Sequence, residues 1–215
     1  MLARSHPSAF LLAAQLLSLL VYPAVDESSG GRLLFGAVAL VVVPLAVWVV
    51  NRSPAVRWVA WLLAIPAMLL TAAAVLFVVP ALLPWSAMLE AALYFYAAGG
   101  LIAYMLHDHE VSADELFAAG ATFTLLAWGF AYAFFVCQAW YPDSFAAIEE
   151  PERPRRWLEL LSLSFSNLSA TGLSDIMPVG SPARVMVMLE QFAGVGYIAT
   201  VVSRLIGLTI VRQRR

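Results

Sequence analysis

The chain has 215 residues, 62% of them hydrophobic and only 12% charged, with a formal net charge of -2 and a mean hydropathy of +0.84. A soluble domain carries about twice that charged fraction, so a soluble reading fails and the length is better counted in membrane spans of ~20 residues. No basic patch lies outside short loops, so no nucleic-acid partner is expected. All twelve basic residues are Arg, a usage that fits a GC-rich bacterial genome. The one cysteine, Cys137, excludes an internal disulfide and a thiolate metal cluster, and its apolar neighbours make it a small buried hydrophobe.

Taken in order, the apolar runs predict six transmembrane helices. The first covers 7–25 and stops at the polar stretch 26–32; the second covers 33–50. Arg4 before an apolar core is also how a signal peptide begins, but no convincing cleavage site follows, so an uncleaved span is expected. The third, 56–79, contains Pro66 as an expected kink, and Pro80 and Pro84 bracket a turn before the fourth, 85–106. Ser112 and Glu115 form a capping box that starts the fifth, 112–140, and the sixth covers 182–211. Arg residues near the span ends favour both termini in the cytoplasm, in a cell membrane of the bacterial inner-membrane type.

Between the last two spans, 141–181 is too long for a turn and too polar to cross. It opens with Asp143, Glu149, Glu150 and Glu152, and the last three either add to an acidic field or form a solvated loop beside Arg153, Arg155 and Arg156. After Pro154, residues 155–168 read as a helix of about 21 Å, too short to span. A short apolar helix between full spans reads as re-entrant, and irregular backbone at membrane depth is tolerated only inside protein or against water. The segment Ser169-Ala170-Thr171-Gly172-Leu173-Ser174-Asp175 therefore points to a pore.

Thr171-Gly172-Leu173-Ser174-Asp175-Ile176-Met177-Pro178 resembles the pore loop of the tetrameric potassium-channel superfamily, whose signature is T-V-G-Y-G-D followed by a proline. Alignment on Asp175 runs without a gap through Pro178, Arg184 and the Ala193-Gly194 pair, so the resemblance covers about the last 100 residues. It implies an all-α membrane protein with two parts. Residues 1–110 would form a four-span peripheral domain. Residues 111–215 would form a pore domain with an outer helix (112–140), a pore helix (155–168), a filter (169–175) and an inner helix (182–211). It also implies a homotetramer in the lipid bilayer, because one loop supplies one wall of a central path.

On that resemblance, carbonyls of Ala170, Thr171, Gly172 and Leu173 hold a monovalent cation, potassium favoured and sodium possible, with Ser174 and Asp175 at the outer mouth. No other cofactor is implied. Ala170 stands where the family has a threonine, and Leu173 replaces its aromatic. Ser174 replaces the second glycine, where a left-handed backbone would cost a residue with Cβ roughly 1 kcal/mol. These departures loosen the filter and leave weakly selective conduction as the alternative. Gly194 matches the family's hinge. Beyond it Val195, Ile198, Val202 and Ile206 share a helical face that either lines a hydrophobic cavity and gate or packs on the fifth span.

Ser166, Arg184 and Glu190 are expected to support the filter, Ser162 and Ser166 by bracing Asp175 and Glu190 as a hydrogen-bonded or ion-paired group with Arg184 as one candidate partner. Glu90, the only charge in the fourth span, reads either as a functional intramembrane acid or, the favoured expectation, as a side chain that snorkels to the interface. The absence of an Arg series in that span argues against a voltage sensor. His107 and His109, with Asp108 and Glu110, form either a regulatory cluster or a solvated linker. The tail holds no expected regulatory domain. An enzyme would need a buried catalytic pair, and neither Glu90 nor Glu190 has a His or Ser partner at plausible spacing. The rival from another class is a non-conducting pore-loop sensor or scaffold.

Overall fold

The computed structural model describes residues 7–26, 57–107, 113–147 and 153–213, and it is mostly helical. In chain order the elements are α1 (Pro7–Asp26), α2 (Arg57–Leu76), a 3-10 turn (Pro80–Leu82), α3 (Leu83–His107) and α4 (Ala113–Trp140). There follow β1 (Phe145–Ala147), α5 (Trp157–Leu168), β2 (Ile176–Pro178) and α6 (Ser181–Gln213). Among the described residues two helices, 80–106 and 114–140, are long and apolar enough to cross a membrane. The predicted second span at 33–50, Glu149, Glu150, Glu152 and His109 lie outside the described residues. His107 ends α3, and its side chain is likewise outside them.

Local chemistry accounts for the boundaries. Pro84 sits in the first turn of α3, where its missing N–H costs no helical bond. Asp114 and Glu115 occupy the first turn of α4, complementing the helix dipole. Pro66 is accommodated inside α2.

Two compact units result, Met1–Leu125 and Leu126–Arg215, with the division inside α4. In the first, α2 and α3 form an antiparallel hairpin. Small side chains (Ala60, Ala64, Ala67, Thr71) form the buried face of α2, while Trp58, Leu62, Ile65 and Leu69 are exposed. That is the reverse of a soluble helix, which turns its large apolar groups inward. Glu90 departs from expectation. It is buried and accepts a hydrogen bond from Thr71 Oγ1 at 3.0 Å, because α2 offers a hydroxyl at its own depth.

The first turn of α1 is held by α4: Ser8 donates its N–H to Asp114 Oδ1 (3.1 Å) and its hydroxyl to Asp114 Oδ2 (3.0 Å). Two turns on, Gln15 Nε2 approaches the Ala121 carbonyl at 3.5 Å. Both pairs are separated by 106 residues, so α1 and α4 run parallel.

In the second unit, Phe134, Cys137, Phe145, Leu160, Ile176 and Val187 share one core drawn from all five of its elements. The burial of Cys137 agrees with its sequence reading. β1 and β2 pair antiparallel, Phe145 opposite Pro178 and Ala147 opposite Ile176. This miniature sheet was not legible in the sequence, where 141–181 looked like loop around one helix. Three-residue strands carry too little alternation to read.

Candidate functional site

The filter residues expected from the sequence lie in the second unit, on the segment between α4 and α6. Its frame is set where the chain turns into α5. Gln138, near the end of α4, donates Nε2 to the Arg155 carbonyl (2.9 Å) and accepts the Arg155 N–H on Oε1 (2.7 Å). This reciprocal pair copies a strand ladder and fixes where the helix begins. Trp157, the first residue of α5, packs edge-on against Trp128 with ring centroids 5.4 Å apart.

Glu159 then caps the helix. Its carboxylate accepts the Arg156 N–H at 2.5 Å and pairs with Arg153 at 2.6 Å. Partial burial pushes the carboxyl up, but the bonds from Arg153 and Arg156 and the charges of Arg153 and Arg155 outweigh it, so Glu159 titrates below its ordinary value. A group depressed in the folded state adds stability above its unfolded pKa, near 4.3, and loses it as pH falls through the folded value. Glu159→Gln should therefore lower stability at neutral pH and flatten its fall below about pH 4. Acid-unfolding curves of the two proteins, followed by circular dichroism, check this.

The far end of α5 is closed by a Schellman turn. Ala170 N–H bonds the Asn167 carbonyl (3.0 Å) and Thr171 N–H bonds the Ser166 carbonyl (3.1 Å), with Ala170 at φ +58° in the position that favours glycine. The Ser166 carbonyl also accepts Gly172 N–H (3.2 Å) and Thr171 Oγ1 (3.2 Å), so one oxygen gathers the start of the loop. Gly172 is left-handed at φ +67°.

In the loop after α5 the left-handed residues are thus Ala170 and Gly172, and the expected strain at Ser174 is not found. Ser174 instead accepts the Ile176 N–H on its hydroxyl (3.1 Å) and donates its own N–H to the Gly172 carbonyl (3.2 Å). Ala170→Gly removes a Cβ from a left-handed position and should stabilise the fold by about 1 kcal/mol. A rise in Tm checks this, and an unchanged or lower value would count against the turn.

Ala170, Thr171, Gly172, Leu173 and Asp175 are exposed and Ser174 is half-buried. Ser166 places its carbonyl, not its hydroxyl, in the loop: the Oγ is buried and makes no hydrogen bond, and Ser162 is exposed. Neither serine braces Asp175. Arg184 donates Nε to the Pro178 carbonyl at 3.3 Å and does not pair with Glu190.

Glu190 instead meets Ser164, whose hydroxyl also lies 2.8 Å from the Ala127 carbonyl. One buried serine so joins α4, α5 and α6. Sequence reasoning missed Gln138 and Ser164, and expected no Ser partner for Glu190, since the partners lie 17 and 26 residues away. The polar residues on otherwise apolar faces were the only signal.

On α6 the inward face is Ala183, Val187, Glu190, Gly194 and Tyr197, and the exposed face includes Met188, Phe192, Val195 and Ile198. Gly194 faces α5, where a Cβ would stand 2.2 Å from the Leu168 carbonyl oxygen. The helix continues through it without interruption to Gln213. The side chains of Val202 and Ile206 are outside those described.

Compared with models of known families, with curated proteins and with solved structures, the chain matches none of them. Among the described residues no cluster of three or more His, Cys, Asp or Glu side chains could hold a metal ion. Chemically, the segment is a short helix pinned at both ends, with its carbonyl end and an exposed loop presented together. A helix C-terminus carries partial negative charge and favours a cation nearby.

Proposed function

We propose that the protein is a pore-loop ion channel, a homotetramer that passively conducts monovalent cations, potassium favoured, and belongs to the tetrameric potassium-channel superfamily. The observation that carries this reading is α5 with its loop. Twelve residues reach about 18 Å, too short to cross a bilayer. The helix is clamped by Gln138 at one end and a Schellman turn at the other, and it leaves Ala170 to Leu173 exposed. Such a segment is of use when other copies complete its surroundings.

The exposed apolar face of α6 beside the loop supports the same assembly, with Val195 and Ile198 towards a cavity and Gly194 against the pore helix. The outward large side chains of α2 support contact with lipid. The parallel setting of α1 and α4 supports an odd number of crossings between them, in keeping with the runs 33–50, 56–79 and 85–106. Residues 1–110 form the peripheral domain and 111–215 the pore domain, in a bacterial inner membrane with both termini inside. Four Asp175 carboxylates at the mouth would concentrate cations. The protein is not an enzyme on this reading, and its only bound species is the permeant ion.

Weak selectivity is the second reading, favoured by the loop itself. Ala170 offers no hydroxyl ligand, and the Gly172 carbonyl is already engaged by Ser174 N–H. Single-channel recording of the purified protein in a planar bilayer, with potassium on one side and sodium on the other, separates these. Discrete openings reversing near the potassium equilibrium potential support a selective channel, and reversal near zero supports the weakly selective one. Silence across pH, calcium and voltage, from a folded tetramer, would sink conduction in favour of a sensor or scaffold.

A further inference from the structure

We infer that Glu190 is built into the fold as a carboxylic acid, a buried proton-holding site whose own O–H bonds to Ser164. The argument begins with a count of hydrogens. Ser164 Oγ lies against two oxygens at once, the Ala127 carbonyl at 2.8 Å and Glu190 Oε1. A hydroxyl has one hydrogen to give and two lone pairs to receive with. A carbonyl can only accept, so the serine hydrogen goes to Ala127. The contact with Glu190 is then completed only by a hydrogen that the carboxyl supplies.

The surroundings agree. Glu190 and Ser164 are both 0% exposed. Glu190 Oε2 has the Asn167 amide as its neighbouring donor, beyond hydrogen-bond distance, and that weak contact is all that would ease a charge there. Arg184, the cation two turns earlier on the same helix, is exposed and bonded to Pro178 instead. Arg153, on the segment leading into α5, is paired with Glu159. The neighbouring part of α4 offers a carbonyl, not a cation. An ionised carboxylate here would be a buried charge with no cation of the described residues beside it, which protein interiors tolerate poorly. The neutral acid satisfies both Ser164 and Ala127 in one chain of hydrogen bonds running from α6 through α5 to α4. This inference concerns the fold of the second unit and stands whether or not the protein conducts.

The test is infrared spectroscopy of the full chain in lipid at neutral pH, with its glutamates carbon-13 labelled, comparing the natural protein with Glu190→Gln and Ser164→Ala. The natural protein should show a carboxylic-acid C=O band that shifts in heavy water and is missing from Glu190→Gln. In Ser164→Ala the band should remain but move, because the acid loses its acceptor. Should Glu190→Gln fail to fold, the moved band in Ser164→Ala alone carries the result. If Glu190→Gln removes a carboxylate band and no acid band, Glu190 is ionised and the inference is overturned. An acid band that ignores Ser164→Ala overturns the assigned bond.

Discussion

Gly194→Ala should destabilise the second unit by about 3 kcal/mol, the upper end of what overpacking a well-filled interior costs. The added Cβ would lie 2.2 Å from the Leu168 carbonyl oxygen and 2.8 Å from its carbonyl carbon and Cα. All three are backbone atoms at the end of α5, so no rotamer change can clear them. Relief needs α6 to move off α5 by roughly 1 Å, which a close-packed interior resists. The same shift would strain the Glu190–Ser164 contact one turn earlier on α6. Thermal unfolding should show a fall in Tm of roughly 10 °C for a chain of this size. Gly196→Ala is the control, since a Cβ there meets nothing within 4 Å. It should be neutral or stabilise the helix by up to about 1 kcal/mol. Equal behaviour of the two variants would mean that α6 does not approach α5 as described.

Ser164→Ala should cost about 2 kcal/mol, the penalty of leaving a buried polar group without its partner. Glu190 stays behind at 0% exposure, in contact with a methyl group where it had an oxygen. The size of the effect depends on that orphaned carboxyl. Removing both partners, in Ser164→Ala with Glu190→Leu, should therefore recover much of the loss, because apolar groups of similar volume often replace a buried polar pair at little cost. A double-mutant cycle by denaturant or thermal unfolding measures the coupling. If the double variant is worse by the sum of the single ones, the two side chains do not interact.

Most of the helices were legible in the chain because they are written in local terms. The apolar runs predicted 7–25, 56–79, 85–106, 112–140 and 182–211. The structure has helices at Pro7–Asp26, Arg57–Leu76, Leu83–His107, Ala113–Trp140 and Ser181–Gln213. The short helix after Pro154 was equally plain, shifted by two residues because Arg155 and Arg156 belong to the clamp and cap that precede it. Composition alone argued against a soluble domain, and the resemblance carried by the residues from Thr171 to Gly194 suggested a pore loop.

Only the tertiary structure decided how those pieces are held. Ser164 and Glu190 are 26 residues apart, and nothing in either neighbourhood announces the other. Gly194 read as a hinge, yet the adjacent Leu168 backbone gives it a packing role. Ser174 looked like the strained residue of the loop, but the Schellman turn moved the left-handed position back to Ala170. Helix formation is a property of successive residues, so hydrophobic period and capping are enough to signal it. A buried hydrogen bond or a close backbone approach is a property of distant residues that meet, and it exists only once packing has brought them together.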